Sequence, residues 1–450
     1  MKLSKLAFSV DRRSMPSSLV RKHWQDLLFI VAIALVAGLV SYQGAYSINP
    51  ALTWDKQTTD TWFNNDTTRT FDDMAVYAVD HYRTNLHPLF VMSTMPFVYA
   101  LRGLFSWDAV TAVRVVLATN TSIWFGLLFI TLRLIGCRRL EATLFSILAA
   151  VSAASVFWFT MPETYQFGSS TMLMGLGLVA LAEYQKLSPL WYVLVSVLTL
   201  GMTITNWMVG ILAAFVKFRP KQAAVITVAS FAIVAFLILV QKAILPAFNA
   251  GFLRLGVDAV NEAGTTGVLK AEFGGPMTSI KSVIFDTMIL PAIRLVKNTH
   301  GFPAWSIMSV QWSAPGSGSI WGAIAVVLWM ALFSLGIWAL FSIKQHRSFR
   351  LVLGLSLLGQ IVLEAVYGDE RFPHSTHILP FLILVAALSI FTRARVLALV
   401  LTGALILTAG ANNALLFEQA RAFTYNQGSL RQQVPVESWI QLRPNASNSR

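Results

Sequence analysis

The chain has 450 residues, of which 56% are hydrophobic and only 12% are charged. This composition leaves too little polar surface to cover a soluble globular protein, so it predicts a multi-spanning membrane protein. The net charge of +13 does not indicate a nucleic-acid partner, because most lysines and arginines fall in short clusters between apolar runs, as they do in cytoplasmic loops. The single cysteine, Cys137, excludes an intramolecular disulfide.

The apolar runs predict an all-α integral membrane fold with about eleven transmembrane helices. A helix needs roughly twenty apolar residues to cross a bilayer, and most of the runs are close to that length. Residues 1–26 are basic and lack a signal-peptide cleavage pattern, which predicts a cytoplasmic N-terminal tail. The predicted spans lie at 27–45, 111–135, 140–160, 169–184, 189–205, 207–217, 223–245, 319–342, 351–367, 378–391 and 396–414.

The basic clusters predict the orientation of the spans, because short loops rich in lysine and arginine stay in the cytoplasm. All six clusters fall on one side if 207–217 crosses and 88–106 lies in the outer interface. The membrane domain is then 27–414, with 46–110 as its first periplasmic loop, 246–318 as a long periplasmic region and 415–450 as a periplasmic tail. The clusters are the N-terminal tail, Arg138-Arg139, Lys186, Lys217-Arg219-Lys221, Lys344-Arg347-Arg350 and Arg393-Arg395.

Loop 46–110 carries the strongest candidate site. A connector between two spans needs only a few residues, so a loop of this length is typical of function or disorder. Its aromatic residues favour short interfacial helices. An acidic residue that begins such a helix has a second interpretation, as a cap stabilised by the helix dipole. The candidate side chains in this loop are Asp66, Arg69, Asp73, His81, Arg83 and His87.

Phe63-Asn64-Asn65-Asp66-Thr67-Thr68-Arg69 resembles the W-N-P-D-E-P-R stretch of the lipid A aminoarabinose transferase and protein mannosyltransferase group. These are GT-C glycosyltransferases, which use polyprenyl-phosphate sugars. The resemblance implies that Asp66 is the catalytic base and that Arg69 supports it. It also implies a donor-phosphate site, because the family's K-P-x-L stretch corresponds to His87-Pro88-Leu89, preceded by Arg83. Thr67 and His87 depart from the family's glutamate and lysine.

Two later turns add candidates on the same side of the predicted membrane. Glu163, where the third span surfaces, occupies the place at which GT-C enzymes have a second acidic residue, and is the second catalytic candidate. Arg371 lies near the outer start of a late span, and its guanidinium can hold two phosphate oxygens. Tyr367 and His374 are secondary candidates beside it. The alternative interpretations are an ordinary interfacial glutamate and a solvated turn.

No cofactor is assigned from the sequence. A divalent metal remains an alternative at His374 and His377, which have Asp369 and Glu370 nearby, but the sequence shows no third clear ligand. No phosphate-binding loop, dinucleotide fingerprint or zinc-peptidase motif is present.

The predicted function is an inverting membrane glycosyltransferase of the bacterial inner membrane with a periplasmic active site. Its partners are a polyprenyl-phosphate-linked sugar donor, membrane lipids, and a glycan, lipid or protein acceptor. A leaving phosphate needs a fixed cation, and an acceptor hydroxyl needs a base. The alternative is a polytopic transporter or lipid flippase without glycosyl transfer, which internal repeats and charged, broken helices at the midplane would indicate.

Overall fold

The computed structural model describes residues 17–245, 275–296, 305–366 and 371–432. Helices dominate these ranges, and their only sheet is one antiparallel ribbon of β1 (Arg294–Val296) and β2 (Ile307–Ser309). The helices are α1 (Ser17–Ser47), α2 (Ala51–Trp54), α3 (Thr67–Ala75), α4 (Phe90–Phe105), α5 (Ala109–Leu134), α6 (Arg139–Ala150), α7 (Ala153–Trp158), α8 (Thr164–Leu181), α9 (Pro189–Met202), α10 (Trp207–Lys217), α11 (Pro220–Ile244), α12 (Gly275–Lys281), α13 (Ile320–Ser342), α14 (Arg347–Val366), α15 (Ser375–Leu388) and α16 (Arg395–Gln432).

Shorter helical turns connect these helices. A π-helix, Ser282–Asp286, continues α12, and 3₁₀ turns lie at Lys56–Thr58, Tyr82–Asn85, Ile204–Asn206, Phe372–His374 and Ser389–Phe391. The last helix runs on to Gln432, so the predicted boundary between membrane domain and tail at 414 falls inside a helix.

Seven helices in the described part of the chain are long and apolar enough to cross a membrane. The prediction of a helical, multi-pass membrane protein is therefore confirmed. The count of about eleven spans is not, because the other four predicted spans form shorter or less apolar helices. The seven are Trp24–Ser47, Ala109–Leu134, Pro220–Ile244, Ile320–Ser342, Arg347–Ala365, Phe372–Phe391 and Arg395–Asn426.

The predicted span 140–160 is broken into α6 and α7. Ser152 caps the second piece, and the backbone N–H groups of Ala153 and Ala154 donate to the carbonyls of Met288 (3.1 Å) and Thr287 (3.0 Å). A helix start leaves N–H groups that need acceptors, and a distant segment supplies them here. The break is thus stabilised by tertiary contacts that a hydropathy pattern does not record.

Several of the predicted cytoplasmic clusters meet at one end of the helix bundle. Asp26 accepts hydrogen bonds from Arg139 (2.7 Å) and Arg133 (3.1 Å). Glu141 pairs with Arg395 across 254 residues (2.8 Å from Nε). Residues on the same cytoplasmic face must lie close enough to contact one another, and these residues do. The orientation of the bundle in its membrane stays a prediction.

Helix α4 lies within loop 46–110, and hydrogen bonds join its start to the end of α9 and its last turns to the end of α3. The N–H of Leu89 donates to the Gly201 carbonyl (2.7 Å), and Arg102, near the other end, donates to the carbonyl of Ala75 (3.4 Å). With 16 residues, α4 is also shorter than a typical span. Length alone does not separate α4 from crossing helices, because α9 and α10, both predicted to cross, are shorter. That 88–106 does not cross stays a prediction.

Candidate functional site

Buried aromatic rings hold loop 46–110 against the bundle just before Asp66. Trp62 and Phe63 are fully buried, and the Phe63 ring lies 5.0 Å from Phe372 and 5.5 Å from Phe157. Phe63 has a φ of +53°, a backbone conformation that is rare outside glycine. A strained backbone of this kind persists only where the contacts around it hold it in place. The aromatic cluster therefore fixes the position of the residues that follow.

An ion pair joins this loop to the start of α8. Arg83 Nη1 lies 2.9 Å from Glu163 Oε1, and Arg83 Nη2 donates to Asn65 Oδ1 (3.2 Å). The Asn65 amide in turn donates to Glu163 Oε2. Although burial opposes the charge of Arg83, the Glu163 carboxylate raises the pKa of the guanidinium above its ordinary value.

Glu163 is fully buried and both of its oxygens accept hydrogen bonds. Oε1 also accepts from the N–H of Thr164 (2.8 Å). A general base needs an oxygen within reach of the proton that it removes. Because the Glu163 side chain is closed to solvent, the geometry favours Glu163 as a residue that positions the loop, rather than as the base.

Asp66 begins α3 and caps it. Its side chain accepts from the Arg69 N–H (3.4 Å), and its Oδ2 lies 3.0 Å from Arg69 Nε. The helix-cap interpretation of Asp66 thus describes a contact that exists in the structure. The Asp66 side chain is also 21% exposed. The same carboxylate therefore caps α3 and remains accessible to solvent.

Asp66 faces a polar depression of about 610 Å³, here called the open cleft. Lys56 Nζ lies 3.8 Å from Asp72 Oδ2. Burial raises the pKa of Asp72 above its ordinary value, and Lys56 opposes this shift. Lys56 was not among the residues predicted from the sequence. It precedes the motif at 63–69, and the 3₁₀ turn Lys56–Thr58 determines its position. The lining residues are Lys56, Thr59, Asp66, Thr68, Arg69, Asp72, Val79 and Asp80.

Asp73 and His81 form a buried pair that does not line this cleft. Both side chains are closed to solvent, and His81 Nδ1 lies 2.8 Å from Asp73 Oδ1. Burial raises the pKa of Asp73, while its hydrogen bond to His81 opposes the shift. The pair ties α3 to the turn that carries Arg83, so its contacts fit a supporting role.

His87 is buried and neutral near pH 7. Its Nδ1 lies 2.9 Å from the Met202 carbonyl, and its Nε2 lies 3.0 Å from Thr164 Oγ1. Burial, with a smaller effect of the Arg83 charge, lowers the pKa of His87 to about 3. A neutral imidazole supplies no cation, so the geometry gives His87 a hydrogen-bonding role instead of the predicted charge on the donor phosphate.

A second, smaller space of about 180 Å³ lies among the helices and is here called the histidine cavity. His374 Nδ1 lies 2.9 Å from Glu364 Oε2, and His374 Nε2 lies 3.1 Å from the Tyr165 hydroxyl. The residues that line it are Leu86, His87, Tyr165, Thr203, Ile204, Thr205, Gln360, Leu363, Glu364, His374 and His377.

The structure does not bring the predicted site residues together in one place, and Asp73, His81, Arg83 and Glu163 line neither space. Asp66 and Arg69 line the open cleft, whereas His87 and His374 line the histidine cavity. Arg371 is buried immediately before the Phe372–His374 turn. Tyr367 lies outside the described residues, as do Asp369 and Glu370. Among the residues described, no group of three His, Cys, Asp or Glu side chains is arranged to hold a metal ion.

Comparisons of the chain with models of protein families, with curated proteins and with solved structures found no match. Membership of the GT-C superfamily stays a prediction from residues 63–69 and 87–89. The functional assignment therefore depends on the chemistry of the two spaces described above.

Proposed function

We propose that the chain is a GT-C-type membrane glycosyltransferase with eleven spans. It moves a sugar from a polyprenyl-phosphate donor to a glycan, lipid or protein hydroxyl on the periplasmic side of the bacterial inner membrane. One observation carries the proposal: the open cleft brings a partly exposed carboxylate, Asp66, together with two cationic side chains, Lys56 and Arg69. Such a set supplies a base and two cations. Arg69 contacts Asp66 and Lys56 contacts Asp72, so a donor phosphate must replace these carboxylates as the partner of the two cations.

The reaction is a single displacement. Asp66 accepts the proton of the acceptor hydroxyl, and the hydroxyl oxygen attacks the anomeric carbon of the donor sugar. The bond from that carbon to the phosphate oxygen breaks, and its electron pair leaves with the polyprenyl phosphate. One displacement inverts the anomeric centre. Lys56 and Arg69 offset the negative charge that develops on the leaving phosphate.

The Arg83–Glu163 pair gives this chemistry a fixed frame. Asn65, which bonds to both partners, directly precedes Asp66 in the chain. A displacement of about 1 Å can cost a transferase about 10²-fold in rate, because the reacting atoms must be aligned. The buried pair therefore acts on the reaction by holding the position of Asp66.

Helix α4 gives the polyprenyl chain a place beside the cleft. It packs against α3, which carries Asp66 at its start, and it exposes large apolar side chains, including Phe97 and Leu104. Exposed apolar surface of this kind suits lipid chains. The donor phosphate can then lie in the polar cleft while its tail stays in the membrane.

The test uses purified protein in lipid nanodiscs with radiolabelled polyprenyl-phosphate sugars and an extract of envelope glycolipids as acceptor. We expect labelled sugar to pass to the acceptor and free polyprenyl phosphate to appear. Solute flux into sealed vesicles, without consumption of any lipid-linked sugar, would overturn the proposal in favour of a transporter. Profiling of surface glycans in a deletion strain identifies the sugar and the acceptor.

A further inference from the structure

The histidine cavity is a second built site, separate from the open cleft. Tyr165 is surrounded by three imidazoles, with ring centroids 4.7 Å away for His374, 4.9 Å for His377 and 5.7 Å for His87. These polar groups border a half-open volume that Asp66 does not line.

Hydrogen bonds define what the wall offers to a ligand. A carbonyl only accepts, so His87 Nδ1 carries the proton that faces Met202, and His87 Nε2 is an acceptor. Asn206 Oδ1 accepts from Gln360 (3.3 Å), which leaves the Asn206 amide to donate to His377 Nε2 (3.2 Å). Protein partners therefore occupy both His87 nitrogens and His377 Nε2. Since Nε2 of His377 accepts, its Nδ1 carries the proton and is left as a donor for a ligand.

The charge of the wall is unfavourable for an anion. No lysine or arginine is among the described residues that line it. The paired Glu364 and His374 sum to zero charge or to one negative charge, according to whether His374 is protonated. Arg83 is nearby in the chain, but its charge is paired with Glu163. A buried phosphate needs cations, and those lie in the open cleft.

The size of the cavity limits the ligand to about one ring. A protein cavity of roughly 150 Å³ can hold a single six-membered ring, and the histidine cavity measures about 180 Å³. Leu86, Ile204 and Leu363 supply apolar wall between the polar groups. Alternating apolar and hydrogen-bonding surface matches a pyranose or furanose, which presents C–H faces and hydroxyls that donate and accept.

We propose that the histidine cavity binds one uncharged sugar ring, with Tyr165, His377 and Gln360 as its main hydrogen-bonding partners. This inference rests on the proposed function and deepens it, because it assigns a neutral sugar to this cavity and the phosphate to the open cleft. The two spaces share no lining residue, and the donor sugar is bonded directly to the phosphate in the open cleft, so the ring in the cavity is a residue of the acceptor.

Saturation-transfer NMR tests the binding, with the full-length protein in nanodiscs and a panel of neutral methyl glycosides as probes. We expect at least one glycoside to bind in the millimolar range, as a single ring does. Tyr165→Phe keeps the ring and removes the hydroxyl, and should weaken binding about fivefold, the effect of one hydrogen bond. Tyr192→Phe makes the same change at a buried tyrosine elsewhere and should leave binding unchanged.

Charge selectivity gives an independent readout. The methyl glycoside with a 6-carboxylate should bind at least about tenfold more weakly than its neutral parent, because Glu364 repels it. Glu364→Gln should reduce the difference in affinity between the neutral glycoside and its 6-carboxylate. The inference is overturned if no neutral glycoside binds, if Tyr192→Phe weakens binding as much as Tyr165→Phe, or if the carboxylate probe binds more tightly than the neutral one.

Transfer kinetics test this assignment. Tyr165→Phe should raise the KM for the acceptor and leave the KM for the donor unchanged, and a raised donor KM with an unchanged acceptor KM would overturn the assignment. Failure of this inference also differs from failure of the proposed function. If transfer occurs and depends on Asp66 but no glycoside binds, only the proposed sugar site is wrong. If a glycoside binds but no lipid-linked sugar is consumed, only the proposed transferase function is wrong.

Discussion

The guanidinium of Arg83 lies 2.9 Å from the carboxylate of Glu163, eighty residues later in the chain, and the Glu163 side chain is closed to solvent. A buried charge without its partner is costly, so each of these residues depends on the other. The pair is one of several polar links between the loop that carries Asp66 and the helix bundle.

Removing one partner of this pair should destabilise the protein strongly. Glu163→Gln leaves the Arg83 cation unpaired, and we expect it to lower the free energy of unfolding by about 3–5 kcal/mol. The double variant Arg83→Met, Glu163→Leu should regain much of that loss, because it leaves no unpaired charge. Thermal unfolding of the purified proteins measures both effects.

The matched control is Arg421→Met, which breaks the exposed pair between Arg421 and Glu418. Exposed pairs contribute little, so this variant should unfold like the wild type. If Glu163→Gln also unfolds like the wild type, the Arg83–Glu163 pair does not hold the loop.

The cations of the open cleft should govern donor binding. Lys56→Gln removes a charge that is 79% exposed, and we expect it to raise the KM for the polyprenyl-phosphate donor about tenfold with a smaller change in kcat. Added salt should weaken donor binding in the wild type more than in the variant. Lys186→Gln, which also removes a lysine charge, is the control. An unchanged donor KM in Lys56→Gln would remove this residue from the phosphate site.

The depressed pKa of His87 predicts a loss of stability in acid. The unfolded chain binds a proton at His87 below about pH 6.5, whereas the folded chain resists protonation down to a pKa of about 3. Unfolding therefore becomes more favourable as the pH falls from 6.5 towards 3. His87→Asn keeps a donor for the Met202 carbonyl and cannot titrate, so the wild type should lose more stability than this variant between pH 6.5 and 4. Parallel stability curves would contradict the buried, neutral His87.

Membrane topology can be tested with introduced cysteines in a Cys137→Ser background. Cys137 itself is fully buried, and burial raises the pKa of its thiol, so it resists labelling on either side. We expect an impermeant maleimide to label Gln57→Cys and Ser106→Cys in spheroplasts, and Lys186→Cys only after permeabilisation. If Ser106→Cys is labelled only after permeabilisation while Lys186→Cys is labelled in intact spheroplasts, then 88–106 crosses the membrane and the eleven-span topology is wrong.

Local sequence patterns predicted the parts of the structure that depend on neighbouring residues. Apolar runs predicted most of the long helices, and the polar stretch around Asp66 predicted a cap at the start of α3. The break between α6 and α7 was not predicted, because its N–H groups are satisfied by Thr287 and Met288, more than a hundred residues away.

The candidate site was predicted in its members but not in its arrangement. The sequence marks Glu163 and His87 only as polar residues near apolar runs. Their roles depend on distant partners, because Asn65 and Arg83 donate hydrogen bonds to Glu163 and Thr164 contacts His87. The histidine cavity joins Tyr165 to His374 across 209 residues. A single sequence carries no local signal for such pairs, because they arise from helix packing.

The most direct test of the account is the transfer rate of Asp66→Asn. Asparagine is as good a helix cap as aspartate, so the start of α3 should be preserved, while the proton acceptor is lost. We expect normal membrane abundance, normal donor binding and a turnover about 10²–10⁴-fold below the wild type. Asp72→Asn, which changes a neighbouring carboxylate of the same cleft, should keep most of the turnover. Full transfer activity in Asp66→Asn at normal abundance would contradict the account, because Asp66 would then only cap its helix.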